Sequence, residues 1–228
     1  MTLIKVCCIQ NLAEANLAIL AGASALGLVS EMPSGPGVIN ENVLVEIARQ
    51  TKDAISRFLL TSARDARTII AQQQRSGVDT LQLVDSVSIE DLVQIKRALP
   101  GVQIVQVLHV RGLSSLDDAQ RMESFVDAVL LDSGNPGAAV RELGGTGRTH
   151  DWDVSRRIVE ALTCPVWLAG GLNPANVASA IQNVHPYGVD LCNGIRREGR
   201  LIPTLLQAFV RAVQQADGQS DQTSGHLH

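Results

Sequence analysis

Eight short apolar runs, each followed by a stretch with helical spacing, divide the first 216 residues into units of about 27. The runs lie near 3–9, 25–29, 56–61, 79–83, 102–110, 128–131, 165–169 and 188–192. Each is short, apolar and bounded by Gly, Pro, Asn, Asp or Ser, so each predicts a strand. Strands of this kind, alternating with amphipathic helices, pair in parallel and are covered on both faces. Eight of them close as α/β architecture, a single (β/α)8 TIM barrel. An open doubly wound sheet is the alternative, and the even size of the units argues against it. With 45% hydrophobic and 18% charged residues there is material for one large core, and no shift in composition marks a second domain. The barrel is expected over 1–216, with 217–228 as a disordered tail that has little to bury.

Punctuation along the chain supports the helices. Ser88 precedes an acidic turn as an N-cap, Gly77 and Pro100-Gly101 end helices, and Asn173-Pro174 has the order of a cap followed by a first helical residue. A net charge of −4 without a basic cluster excludes nucleic acid as a natural partner. No apolar run approaches the ~20 residues of a membrane span. The N-terminal MTLIKVCCIQ enters a strand pattern without the order of a signal peptide, so a cytoplasmic protein is expected. Cys7, Cys8, Cys164 and Cys192 lack metal-ligand spacing. The neighbours Cys7 and Cys8 suit no structural disulfide with one another, so reduced thiols and no metal are expected. A monomer and a homodimer both fit the sequence.

In a barrel, chemistry sits where strands hand over to helices, and the loops after strands seven and eight commonly hold phosphate. Here those loops carry Gly170-Gly171 and Asn193-Gly194, and strand six leads to Gly145, Thr146 and Gly147 behind Gly144. Glycine-rich turns present N–H groups to an anion without Cβ obstruction. On strand one, Lys5, Cys7 and Ile9 share a face, and a lysine does not suit the helix layer, so Lys5 and Cys7 point inward. Asp132 ends strand six, three strands away. A thiol beside a lysine and a carboxyl across the mouth suit a base and an acid working on one molecule. The plain structural readings are a small buried cysteine, a strand-capping aspartate and ordinary turns. His109 reads as a hydrogen-bonded histidine, Trp152 and Trp167 as packing anchors, Asp190 as structural, and Cys164 and Cys192 as small buried residues.

The sequence resembles the phosphoribosylanthranilate isomerase family. The resemblance rests on Lys5-Val6-Cys7, Leu130-Leu131-Asp132, the Gly144–Gly147 segment running to Asp151-Trp152, Leu168 to Val177 and Pro186 to Asp190. It implies a (β/α)8 enzyme that performs an Amadori rearrangement on a small phosphosugar, with Cys7 as general base and Asp132 as general acid. It implies no metal or organic cofactor. Phosphate would rest on Gly170, Gly171, Asn193 and Gly194, and the 145–147 loop would close over it. Four positions depart from the family pattern: Cys8 replaces a glycine, the loop Ser34-Gly35-Pro36-Gly37 lacks an arginine, Val84-Asp85 replaces His-Gly, and His150 replaces a phenylalanine. Lys5, Gln82, Asp85 and Arg111 are further candidates for substrate contact, with Arg111 or Arg64 available to the aglycone carboxylate. Two alternatives stand beside this activity: an isomerase of a related phosphorylated sugar with another aglycone, and a non-catalytic phosphometabolite-binding barrel.

Overall fold

The computed structural model describes residues 1–33, 35–134 and 149–224, with side chains described up to 219. Eight parallel strands close in sequence order into a barrel. They are β1 Leu3–Val6, β2 Ala25–Val29, β3 Ser56–Thr61, β4 Thr80–Leu83, β5 Gln103–His109, β6 Ala128–Asp132, β7 Val166–Leu168 and β8 Gly188–Leu191. The helices are α1 Leu12–Leu20, α2 Glu41–Gln50, α3 Ala66–Ser76, α4 Ile89–Ala98, α5 Ser114–Met122, α6 Trp152–Ala161, α7 Val177–Val184 and α8 Pro203–Ser224. Side chains explain most boundaries. Asn11, Asn40, Asp65, Ser88 and Asp151 each accept a backbone N–H from the first turn of the helix they precede. Gly77 closes α3 in the left-handed conformation (φ 63°).

Alternation along each strand separates two apolar layers. Leu26, Leu28, Leu81, Leu83, Ile104 and Leu108 pack outward against the helices, whereas Val29, Phe58, Leu60, Val105 and Leu130 fill the barrel. Trp167 meets Phe58 edge-on at 5.7 Å and Tyr187 at 5.6 Å. Gly188 gives that indole its place, because a Cβ there would stand 2.5 Å from the ring.

A short antiparallel pair, β9 Arg196–Arg197 and β10 Arg200–Leu201, follows β8 and has no counterpart in the sequence-based expectation. It delivers Arg196 into a buried pair with Glu14 of α1, with contacts of 3.0 and 2.9 Å. Arg196 also donates to the carbonyl of Cys8 at 2.7 Å, tying the end of β1 to the β8 loop.

Three expectations are corrected. The closing helix runs to Ser224, and Asp217 accepts from the backbone N and Oγ1 of Thr2 at 2.8 and 2.7 Å, so the start of the expected tail is held to the barrel. Helix α7 begins at Val177, because Asn173 turns its Oδ1 to the Ala175 N–H and forms a tight turn ahead of the helix. Cys8 and Cys192, expected as reduced thiols, form a disulfide with Cα atoms 5.9 Å apart. Barrel closure makes neighbours of two cysteines 184 positions apart. Cys8 has φ 62°, a left-handed conformation that favours the glycine of the family pattern.

Candidate active site

The carboxyl ends of the strands surround a cavity of about 250 Å³. Cys7, Gln82, Asp132, Gly170, Gly171, Asn193 and Gly194 all line it, so seven of the residues singled out in the sequence meet in one place. The Cys7 thiol lies against β2, where Gly27 leaves room: a Cβ at Gly27 would stand 2.7 Å from Sγ. Directly below, Lys5 is fully buried, its Nζ 2.9 Å from Asp190 Oδ2 and 5.3 Å from the Phe58 ring centroid. The Lys5–Asp190 contact is close in distance but lacks hydrogen-bond alignment, and Asp190 Oδ1 has no hydrogen-bond partner. Lys5 and Asp190 are register partners on β1 and β8.

The rim over β7 and β8 is built from backbone. Gly170 and Gly171 are both left-handed (φ 83° and 65°). Asn173 and Asn176 donate their side-chain amides to the Gly171 carbonyl at 3.3 and 3.0 Å, which holds the turn in shape. Gly194 lies against the Leu172 carbonyl with no space for a Cβ, so the two loops touch through their main chains. This is the environment in which successive N–H groups converge on an anion. Behind Gly170 lies His150, whose Nε2 is 2.7 Å from Ser155 Oγ. Gly145, Thr146 and Gly147 lie outside the described residues.

Asp85 and Arg111 stand apart from this cavity. They border a second one of about 410 Å³ with His109 and Gln106, outside the mouth and between α4 and α5. His109 Nε2 faces the Val84 carbonyl at 3.3 Å, in line with a hydrogen-bonded structural histidine. Arg64 is exposed and donates to the Ser86 carbonyl at 3.2 Å. Among the described residues no arginine lines the central cavity.

Electrostatics separate the two central groups. Burial pushes the Asp132 carboxyl up to about 6, against the Ser133 N–H that donates to it at 2.7 Å. Burial pushes the Cys7 thiol up to about 11, while the Lys5 ammonium works in the opposite sense. Burial opposes the charge on Lys5, yet Asp190 and then Cys7 hold it above the ordinary lysine value. The site thus offers a carboxyl that keeps its proton up to about pH 6 and a thiol next to a fixed cation, on opposite sides of one cavity.

Sequence reasoning missed two parts of this wall, Asp190 and the Cys8–Cys192 bond. Parity was the available signal for the first: Asp190 stands two residues after Gly188, whose missing side chain faces the interior Trp167.

Residues 4–212 match the family model described as N-(5'-phosphoribosyl)anthranilate (PRA) isomerase. The chain is 36% identical over 194 residues to N-(5'-phosphoribosyl)anthranilate isomerase 2 of Methanosarcina mazei, covering 85% of each chain. It is 34% identical over 229 residues to N-(5'-phosphoribosyl)anthranilate isomerase of Haloferax volcanii, covering 97% of each. In three dimensions it superposes with a TM-score of 0.79 on a phosphoribosyl anthranilate isomerase solved in complex with reduced 1-(o-carboxyphenylamino)-1-deoxyribulose 5-phosphate. That match covers 94% of this chain and 100% of the other, at 23% identity. With a matching model over nearly its whole length and relatives above 30% identity, the chain belongs to the N-(5'-phosphoribosyl)anthranilate isomerase family.

Proposed function

We propose that this chain catalyses the Amadori rearrangement of N-(5'-phosphoribosyl)anthranilate to 1-(o-carboxyphenylamino)-1-deoxyribulose 5-phosphate, with Asp132 as general acid and Cys7 as general base. The observation that carries the assignment is their placement across one cavity from a rim of glycine amides. The phosphate rests against Gly170, Gly171, Asn193 and Gly194, which fixes the furanose between β1 and β6. Asp132, holding its proton up to about pH 6, gives it to the ring oxygen. The C1′–oxygen bond breaks, and the aglycone nitrogen takes the charge as an iminium. Cys7, as thiolate beside Lys5, removes the C2′ proton, and the bonding pair moves to form the enolamine. A proton added at C1′ and one lost from the C2′ hydroxyl give the ketone. Cys7 then returns its proton and Asp132 regains one through solvent, which restores the starting state. Each general acid or base step contributes on the order of 10²–10⁴-fold, and the whole sequence is proton transfer, for which no cofactor is needed.

The enzyme acts on a small phosphosugar as a monomer or homodimer, and we place it in the cytoplasm. Among the described residues no helix is long and apolar enough to cross a membrane.

The test follows the fluorescence of the anthranilate group in freshly made substrate. The signal is expected to fall with wild type and to persist with Cys7→Ala or Asp132→Asn. Undiminished turnover by either variant overturns that residue's role. Absence of turnover by wild type, with inorganic phosphate still raising Tm, would leave an isomerase of another aglycone or a non-catalytic binding barrel.

A further inference from the structure

Asp190 takes part in none of these steps, yet it faces the same cavity, buried, with Oδ1 lacking a hydrogen-bond partner and Oδ2 on Lys5. We propose that the Lys5–Asp190 pair is a fixed dipole that holds the acid and the base in their working protonation states, its ammonium end on Cys7 and its carboxylate end toward Asp132. The proposal rests on the roles given above to Cys7 and Asp132.

Strand order supplies the geometry. Around the barrel run β1, β8, β7 and β6. Lys5 lies on the strand of Cys7, two residues away on the same face, and three strands from Asp132. Asp190, opposite Lys5 on β8, is one strand closer to Asp132. The reaction requires a thiolate and a carboxylic acid together, and burial favours the acid while it opposes the thiolate. A cation beside Cys7 stabilises the thiolate, and an anion nearer Asp132 resists a second negative charge there. In agreement, Lys5 outweighs Asp190 in its influence on Cys7, and Asp190 outweighs Lys5 in its influence on Asp132. Other groups around the pair do not compete. Arg196, paired with Glu14, faces the carbonyls of Cys7 and Cys8; Cys8 is held in its disulfide; Gln82 is neutral; and burial keeps His109 and His150 below the ordinary histidine value. Lys5 and Asp190 are therefore positioning residues, acting through the two groups that touch substrate.

The experiment compares pH profiles of kcat/KM for wild type, Asp190→Asn and the double variant Lys5→Met/Asp190→Leu. In the double variant the acid limb is expected to move down in pH and the alkaline limb up, with the plateau of kcat/KM falling about tenfold for each pH unit by which they separate. In Asp190→Asn the unopposed ammonium moves both limbs down. Limbs that stay in place while the rate drops overturn the proposal, because a purely structural defect lowers height without moving them. If Asp190→Asn does not fold, the double variant carries the test, since apolar residues of similar size replace a buried pair without stranding a charge. The pH dependence of Cys7 alkylation by iodoacetamide, read by mass at Cys7 in a Cys164→Ala background, reports the thiol without turnover. A shifted alkylation midpoint in an inactive protein would sink the reaction assigned above and leave the dipole standing, whereas an unshifted midpoint would sink the dipole.

Discussion

The two halves of the barrel mouth are made differently. From β7 through β8 to β1 the wall is main chain and covalent tie: left-handed Gly170 and Gly171, the Gly194–Leu172 contact, the Cys8–Cys192 bond and Arg196 on the Cys8 carbonyl. From β2 to β5 it is side chain and loop: Met32, Pro36, Leu60, Gln82 and Val84, with Asp85 and Arg111 set back in a second cavity. The first half departs from the family pattern at the disulfide and at His150 behind Gly170, and the second lacks the pattern's arginine and its His-Gly pair. An anion held by backbone amides depends on the path of the chain, which the barrel already dictates, so surrounding substitutions leave it intact. A group recognised by side chains can be altered one residue at a time.

Breaking the covalent tie is the strongest test of the first half. Cys192→Ala, measured without reductant, is expected to lower stability by about 3 kcal/mol, which is several degrees in Tm for a chain of this size. Reducing wild type with dithiothreitol should give a similar loss, and equal Tm values with and without reductant would show that the tie contributes nothing. Next in size is Gly194→Ala. A Cβ there must displace the Leu172 carbonyl, parting the two glycine loops proposed to hold phosphate. A misplacement of that kind lowers kcat/KM on the order of 10²-fold, with most of the change in KM. A KM within twofold of wild type would mean that phosphate is held elsewhere.

The contrast between the halves also explains what the sequence disclosed. Eight strand–helix units, the helix cap at Ser88, and the meeting of Cys7 with Asp132 all follow from local patterns summed around a closed barrel. Glycine turns at two neighbouring strand ends, Gly170-Gly171 and Asn193-Gly194, are legible as a rim for the same reason. What escaped depends on contacts between distant positions. Nothing near Cys8 points to Cys192, and Glu14 gives no sign of Arg196, 182 residues later, until β1 and β8 pair. Asp190 reads as structural from the sequence, because its register with Lys5 exists only in the closed sheet. At α7 the local rule misled, because Asn173 satisfied the next turn rather than a helix.

His150 lies in the main-chain half, behind Gly170, in place of the apolar ring of the family pattern. Ser155 Oγ donates to the Asp151 carbonyl at 3.2 Å, so the 2.7 Å contact with His150 requires Nε2 to carry the proton, and Nδ1 is left without a partner. Burial pulls this histidine down to about 4, opposed by Asp151. Its folded value lies below its unfolded value of about 6.5, so the unfolded chain binds more protons in that interval. Stability from the neutral ring is therefore complete above pH 6.5 and is lost as pH falls toward 4. The loss at pH 5 is about 2 kcal/mol. His150→Phe should remove this acid sag, seen as a smaller Tm difference between pH 7.5 and pH 5. An unchanged difference would assign the sag to other groups.

The smallest effect belongs to the side-chain half. Asp85 lies beyond the central cavity and accepts the Ser86 N–H at 2.8 Å. A single charge acting through solvent over roughly 10 Å alters binding of an anionic aglycone by well under 1 kcal/mol. Asp85→Asn should therefore lower KM about twofold, and the gain should fade as salt is raised. Persistence of the gain at high salt would indicate contact rather than action at a distance. A change larger than that from Gly194→Ala would reverse the comparison itself, because a side chain outside the mouth would then matter more to binding than the main chain that lines it.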